Sequence, residues 1–158
     1  YAPLLDKKSW GILPVQVKHN LLYSDLARYA PLLPHAHFIA YGINAGGLKL
    51  DSNAYTSQAS LTTRGGNPIA HAALIAALRQ RVEDWQRDAT ERPSPSTMNH
   101  LSMIYAVCHS NINALLIGPS RIAQLEDSLL WASNLAQYDY SDVYTQLTIT
   151  GQQYAATR

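Results

Sequence analysis

With a single cysteine, Cys108, the chain can close no internal disulfide and can build no cysteine metal cage. That economy fits a reducing compartment, and a cytoplasmic location is the expectation. Charge of one sign is equally scarce: 12 Lys and Arg stand against 11 Asp and Glu, scattered without a long run of either, for a net +1. The electrostatic footprint of a nucleic-acid binder is missing, so no nucleic acid is expected as a partner. Apolar runs such as "INALLIG" at 112–118 fall far short of the ~20 residues that a membrane-spanning helix needs, so no membrane is expected either. The opening "YAPLLDKKSW" does not form a signal peptide. Nor does the sequence open on Met, which points to a partial chain; 158 residues is the size of one domain or of half a larger barrel.

What is present is enough apolar material for a core: 47% of residues are hydrophobic and only 15% are charged, which argues against disorder. After a helix-like stub that ends at Gly11, Val15 and Val17 alternate with Gln16 and Lys18, the pattern of a short strand over 15–18. "SDLARYAPLLP" follows as a helix with Ser24 as its N-cap and Asp25 in its first turn, ended by Pro31 and Pro34. "HFIAYG" is a second strand closed by Gly42. From 43 to 67 the chain is rich in Gly, Ser, Thr and Asn, which predicts a long irregular loop.

Asn67-Pro68 is a cap and first-turn pair, and apolar residues then recur at helical spacing through Trp85. The stripe Leu74, Leu78, Val82 and Trp85 predicts core, with Arg79, Arg81, Arg87 and Arg92 as a solvated face. Beyond "TERPSPS", Ser96 is the expected cap of a second helix whose apolar face is Leu101, Ile104, Tyr105 and Cys108. It leads into a strand over "ALLIG" at 114–118. The helix "IAQLEDSLLWAS" and a terminal helix opening at Ser141-Asp142 complete the chain. Strands separated by helices, with links too long for hairpins, predict a parallel α/β sheet with right-handed crossovers. Three strands make an incomplete layer, because a parallel sheet needs cover on both faces and on its edges.

In order and spacing, these stretches resemble the C-terminal half of an aldo-keto reductase, a (β/α)8 TIM-type barrel. "PVQVKHNLLYSDL" is similar to that family's sixth strand and following loop. "FIAYGINAGGLKLD" is similar to its seventh strand and the loop written A-Y-S-P-L-A-x-G-x-L. "STMNHLSMIYAVCHSNINALLIGPSRIAQLEDSL" is similar to the helix, eighth strand and phosphate-binding helix that close the barrel. The resemblance covers nearly the whole chain and implies a single partial domain over 1–158, strands six to eight with their helices plus a terminal helix. "WGILPVQV" and the insertion after the seventh strand lean toward the aflatoxin-aldehyde-reductase branch.

The resemblance implies NADP(H) as cofactor and assigns its contacts position by position. Gln16 matches the glutamine on the nicotinamide carboxamide, and Tyr41 the aromatic stacked on the nicotinamide ring. Gly42, Asn44 and the Gly46-Gly47 backbone match the loop beside the pyrophosphate, although Ile43-Asn44 replaces the family's Pro-Leu. Gly118, Pro119, Ser120 and Arg121 fall where the family holds the adenosine 2′-phosphate, with Gln124, Asp127 and Ser128 facing adenine and ribose. A helix start offers unpaired N–H groups, and an arginine beside it adds a charged fork suited to phosphate. Plainer readings stay open beside these: Gly118-Pro119-Ser120 as a strand end and cap, and Tyr41 as core.

The resemblance also marks a gap, because the family's catalytic Asp, Tyr, Lys and His belong to the first half of the barrel. The D-x-A-x-x-Y-G motif that carries two of them is not in this sequence. The expectation is therefore the cofactor-binding half of an NADPH-dependent reductase of aldehydes or ketones, with no catalytic residue of its own and inactive alone. Its partners would be NADP(H) and either a missing N-terminal half-barrel or a second copy. The alternative is a non-catalytic half-barrel serving nucleotide binding or protein interaction. His35 and His37 lack a third ligand nearby, so no metal is expected.

Overall fold

Val15 and Val17 point to one side of an extended segment while Gln16 and Lys18 point to the other, and that alternation runs further than the sequence alone shows. The computed structural model describes residues 12–55, 61, 67–88 and 91–156. In it the first strand, β1, occupies Leu13–Asn20 rather than 15–18. The stub before Gly11 lies outside the described residues, as does most of the predicted loop between 55 and 67. β1 turns back through a two-residue strand, β2 (Tyr23–Ser24), which pairs antiparallel with His19 and Asn20. Asn20 makes that turn: its Oδ1 accepts the N–H groups of Leu22 and Tyr23, both at 3.0 Å.

The helix expected from Ser24 is reduced to four residues, α1 (Leu26–Tyr29), with Asp25 rather than Ser24 at its cap. The Ser24 hydroxyl accepts the Leu26 N–H at 3.2 Å from outside the helix, and turns carry the chain through Pro31 and Pro34. β3 (Ala36–Tyr41) lies parallel to β1, in register from Leu13 opposite Ala36 to Lys18 opposite Tyr41. Asn67 accepts the Ile69 N–H and opens a 3-10 turn over Pro68–His71, from which α2 (Ala72–Arg87) continues. Leu74, Leu78, Val82 and Trp85 are buried along it, as their spacing predicts. Arg92 is not on a solvated face: it spans the Asp142 carboxylate and the Asp139 carbonyl, with its guanidinium over the Tyr140 ring.

The cap of the next helix, α3 (Met98–Val107), is Thr97 rather than Ser96. Thr97 has extended backbone and its hydroxyl accepts the His100 N–H, while Ser96 turns to the His100 ring. Cys108 is the C-cap of α3 and only half-buried. β4 begins earlier than expected, at Ile112–Leu115 instead of 114–118. It pairs parallel with β3 across an irregularity at Phe38/Ile39, where the Asn113 side chain accepts the Phe38 N–H at 3.0 Å. α4 (Ile122–Gln137) and α5 (Ser141–Ala156) close the chain.

The sheet is thus four-stranded and mixed, in the order β2-β1-β3-β4, and not a three-stranded parallel layer. Its three parallel strands keep the expected neighbours. Among the described residues the helical cover lies on one side. Val17 and Phe38 pack with Leu26 of α1, and Ala40 joins the larger core with Leu74, Leu78, Leu101, Ile104, Trp131 and Leu147 from α2 to α5. The residues between them, Pro14, Gln16 and Lys18 on β1 with His37 and Tyr41 on β3, are exposed. Among the described residues no helix is long and apolar enough to cross a membrane, and no group of three His, Cys, Asp or Glu is placed to hold a metal ion.

Candidate functional site

Strand parity puts Gln16, Lys18 and Tyr41 on the uncovered face of the sheet, Tyr41 at the carboxyl end of β3 with Lys18 opposite it and Gln16 midway along β1. Gln16 sits in register with Ile39 and Tyr41 with Lys18. Both candidate contacts are solvent-facing, with Tyr41 39% exposed. Lys18 leans over the Tyr23 ring, its Nζ 5.2 Å from the centroid. The Tyr23 hydroxyl donates to the Asp25 carboxylate at 2.6 Å, and that neighbour pushes its pKa up.

The segment after Tyr41 is wound tightly. Gly42, Gly46 and Gly47 have φ of 62°, 80° and 102°, a region that costs little only for glycine; Ala45 shares it at 49°. Gly42 O accepts the Ala45 N–H, and Asn44 O accepts those of Gly47 and Leu48. Ile43, Ala45 and Leu48 are driven into the core beneath. The Asn20 side chain donates to Gly42 O at 2.9 Å, which pins the turn to β1. Ile43-Asn44, in place of Pro-Leu, therefore forms a turn anchored from below. The Asn44 amide donates to Asn99 on α3 at 3.2 Å, away from solvent.

The chain leaves β4 beside this turn, since the Leu116 N–H donates to Ala40 O at 2.8 Å. Gly118, Pro119, Ser120 and Arg121 follow, all exposed, and deliver the chain to α4. Arg121 is the N-cap residue, with extended backbone and no capping bond from its side chain. Ser120 is already engaged: its N–H and its hydroxyl both donate to Gln124 Oε1, at 3.0 and 3.1 Å. Both bonds run back from the first turn of α4 to the residue before its N-cap and fix the bend.

Ser128 does not face outward with Gln124, and Asp127 is tied toward α3 although its side chain stays 42% exposed. Ser128 is 4% exposed, donates to Gln124 O at 2.8 Å and accepts from Asn99 Nδ2 at 3.0 Å. Asp127 accepts from His100 Nε2 at 3.0 Å. The other His100 nitrogen accepts the Ser96 N–H, so the ring proton sits on Nε2, and the ring lies flat on Trp131 at 4.0 Å. The physical reason is packing: Ser128 and Trp131, three residues apart, lie on the side of α4 that meets the core, whereas Gln124 in the first turn bends back to Ser120 and stays exposed. The structure places Tyr41 and Gly42 on one rim, with Gln16 on the same face lower in β1, and Gly118 to Arg121 with Gln124 on the next rim. It turns Asn44 and Ser128 inward to α3 and ties the partly exposed Asp127 to His100.

Two residues with no part in the sequence reading hold this arrangement, Asn20 and Asn99, and His100 joins them by its bond to Asp127. An asparagine directly after a strand was the one legible signal, since Asn20 stands where an Asx turn is expected. Chemically, the site offers a flat ring, a side-chain amide and an exposed cation beside a helix start, the parts with which a charged, partly aromatic molecule is held.

No protein-family model and no curated protein matches the sequence. Among solved structures, the fold is similar to the aldo-keto reductase AKR11C1 from Bacillus halodurans in its holo form, with a TM-score of 0.58 at 14% identity over 89% of this chain. That match takes in 43% of the solved chain, so the present one spans less than half of its length. The fold is that of part of an aldo-keto reductase-like α/β barrel.

Proposed function

We propose that this chain is the cofactor-binding part of an NADPH-dependent, aldo-keto reductase-like oxidoreductase that reduces aldehydes or ketones to alcohols. In this reading β1, β3 and β4 are strands six to eight of a (β/α)8 barrel. The uncovered face is its lumen, and NADP(H) lies across the rim. The observation that carries the reading is the placement of Tyr41 on the uncovered face at the carboxyl end of β3, with Gln16 on the same face midway along β1 and the exposed Gly118–Arg121 turn following β4. Ligands bind at that end of such sheets. Gln16 would hold the carboxamide, Tyr41 the ring and Gly42 the pyrophosphate, while Gly118, Pro119, Ser120 and Arg121 would cradle the 2′-phosphate and Gln124 the adenosine. Asn44, Asp127 and Ser128 support these groups from below. "WGILPVQV" and the loop after β3 favour the aflatoxin-aldehyde-reductase branch.

Reduction of a carbonyl needs a proton donor of suited pKa as well as a hydride. The Asp, Tyr, Lys and His of the family pattern have no counterpart in residues 1–158, so turnover requires a catalytic half supplied from elsewhere. The test is a fluorescence titration with NADPH and with NADH, on this chain and on the chain joined to a catalytic half. Saturable binding that favours NADPH supports the reading; no binding in either form sinks it. The second reading, a half-barrel that binds nucleotide or protein without catalysis, is favoured by the missing motif and predicts binding without turnover even in the joined form.

A further inference from the structure

Five residues are linked in series beneath the candidate site by hydrogen bonds, with the covalent frame of Gln124, from its carbonyl to its side chain, as one link. Asn44 Nδ2 donates to Asn99 Oδ1 at 3.2 Å, and Asn99 Nδ2 donates to Ser128 Oγ at 3.0 Å. Ser128 in turn donates to Gln124 O at 2.8 Å, and Gln124 Oε1 takes both the N–H and the hydroxyl of Ser120. The chain starts in the turn that follows Tyr41 and ends in the Gly118–Arg121 turn, so it joins two rims far apart in sequence.

We propose that Asn99 is a positioning residue that couples the two ends of this site, so that a ligand group seated on the β3 turn strengthens the seat of an anion at the start of α4. The proposal rests on the nucleotide reading for the ligands involved. Its physical basis is the planar amide of Asn99. Acceptor and donor belong to one rigid group, so a rotation that lengthens the bond to Asn44 also displaces the bond to Ser128. The amide stands in the first turn of α3, whose next five residues are His100, Leu101, Ser102, Met103 and Ile104, all buried. The pivot is therefore held by the core while its two partners lie under surface turns. Asn44 accepts no bond at its buried Oδ1, so its donation to Asn99 is the side chain's one recorded anchor.

The experiment uses the 158-residue chain and two half-ligands, nicotinamide mononucleotide for the β3 end and adenosine 2′,5′-bisphosphate for the α4 end. Each is titrated calorimetrically alone and in the presence of the other at saturation. In the wild type each half-ligand should tighten the other by about fivefold or more, the lower range of measured couplings. In Asn99→Ala the coupling should fall to near one while each half-ligand alone binds within about twofold of wild type. Asn99→Asp keeps shape and acceptor but loses the donor, and should lose the coupling as well, which guards against a variant that merely misfolds. A ligand-free arm follows the Ser120 amide by NMR: Asn44→Ala should shift it in the wild type and leave it unmoved when Asn99 is already Ala. Coupling near one in the wild type, coupling retained in both Asn99 variants, or an unmoved Ser120 amide overturns the proposal. Failure of both half-ligands to bind the wild type defeats the nucleotide reading and the coupling with it. Independent binding of both defeats the coupling alone.

Discussion

His19 should make the fold acid-sensitive well above the pH at which carboxylates titrate. Its ring is 2% exposed, stacked on Tyr105 at 4.9 Å and met edge-on by His109 at 5.1 Å, with only Nδ1 bonded, to Ser24 Oγ at 2.7 Å. Burial, aided by the His109 neighbour, lowers its pKa to about 4 from an ordinary 6.5. A base held neutral in the native state picks up its proton first in the unfolded chain. Between those two values the unfolded state therefore binds more protons, and stability falls as pH falls. The whole window is worth about 3 kcal/mol at 1.36 kcal/mol per unit, of which about 2 kcal/mol is lost between about pH 7 and about pH 5. Set against a typical domain stability of roughly 5–15 kcal/mol, that is a large share. His109, also lowered by burial, acts in the same direction. Urea denaturation of wild type and His19→Phe at the two pH values measures the effect. Phenylalanine keeps the stacked ring, removes the buried Nε2 that lacks a partner, and should flatten the pH dependence by about 2 kcal/mol. Identical pH dependence in both proteins would refute the assignment to His19.

Other outcomes follow from the site and the sheet. Arg121→Ala should weaken NADPH by roughly tenfold or more and leave NADH nearly unchanged, because hydrogen bonds to charged groups are worth about 1.5–3 kcal/mol; equal loss for both returns Arg121 to an ordinary helix start. Gly46→Ala should cost about 1–2 kcal/mol, since φ is +80° and the new methyl would stand 3.5 Å from Leu61, and thermal melts read it directly. The uncovered sheet face should make the isolated chain self-associate and bind a hydrophobic dye; a sharp monomer boundary in sedimentation without dye binding contradicts this. Purified alone, the chain should not oxidise NADPH in the presence of simple aldehydes, and turnover that co-purifies with it through several columns would reverse the assignment of catalysis to another segment.

Elements that declare themselves locally were legible in the sequence. α2 carries its own start at Asn67-Pro68 and its own stripe, and the structure follows both. The parallel neighbours β1, β3 and β4 follow from strand and helix alternation. What escaped depends on partners distant in sequence. β4 was placed late because Asn113 breaks the apolar run, yet its side chain is what meets the Phe38 N–H across 75 positions. β2 was invisible because two residues, Tyr23 and Ser24, have no period to detect. At the site, Gln16, Tyr41, Ser120 and Arg121 are exposed. The inward turn of Ser128 was available from its spacing to Trp131 but was outweighed by motif resemblance.

Among the described residues, β1 is guarded by β2 only at its last two residues, and no strand pairs beyond β4. A layer with two unfinished margins is extensible: further strand-and-helix units can be added at either side without opening the helical core, because each new unit needs only a margin to pair with and a helix to lean on. Duplication, fusion or splitting of such a chain therefore alters how many units stand in the row while leaving the packing among α2, α3, α4 and α5 as it is. The same property makes the molecule a usable part for recombination, in which segments from different parents are joined at the strand margins instead of through the core.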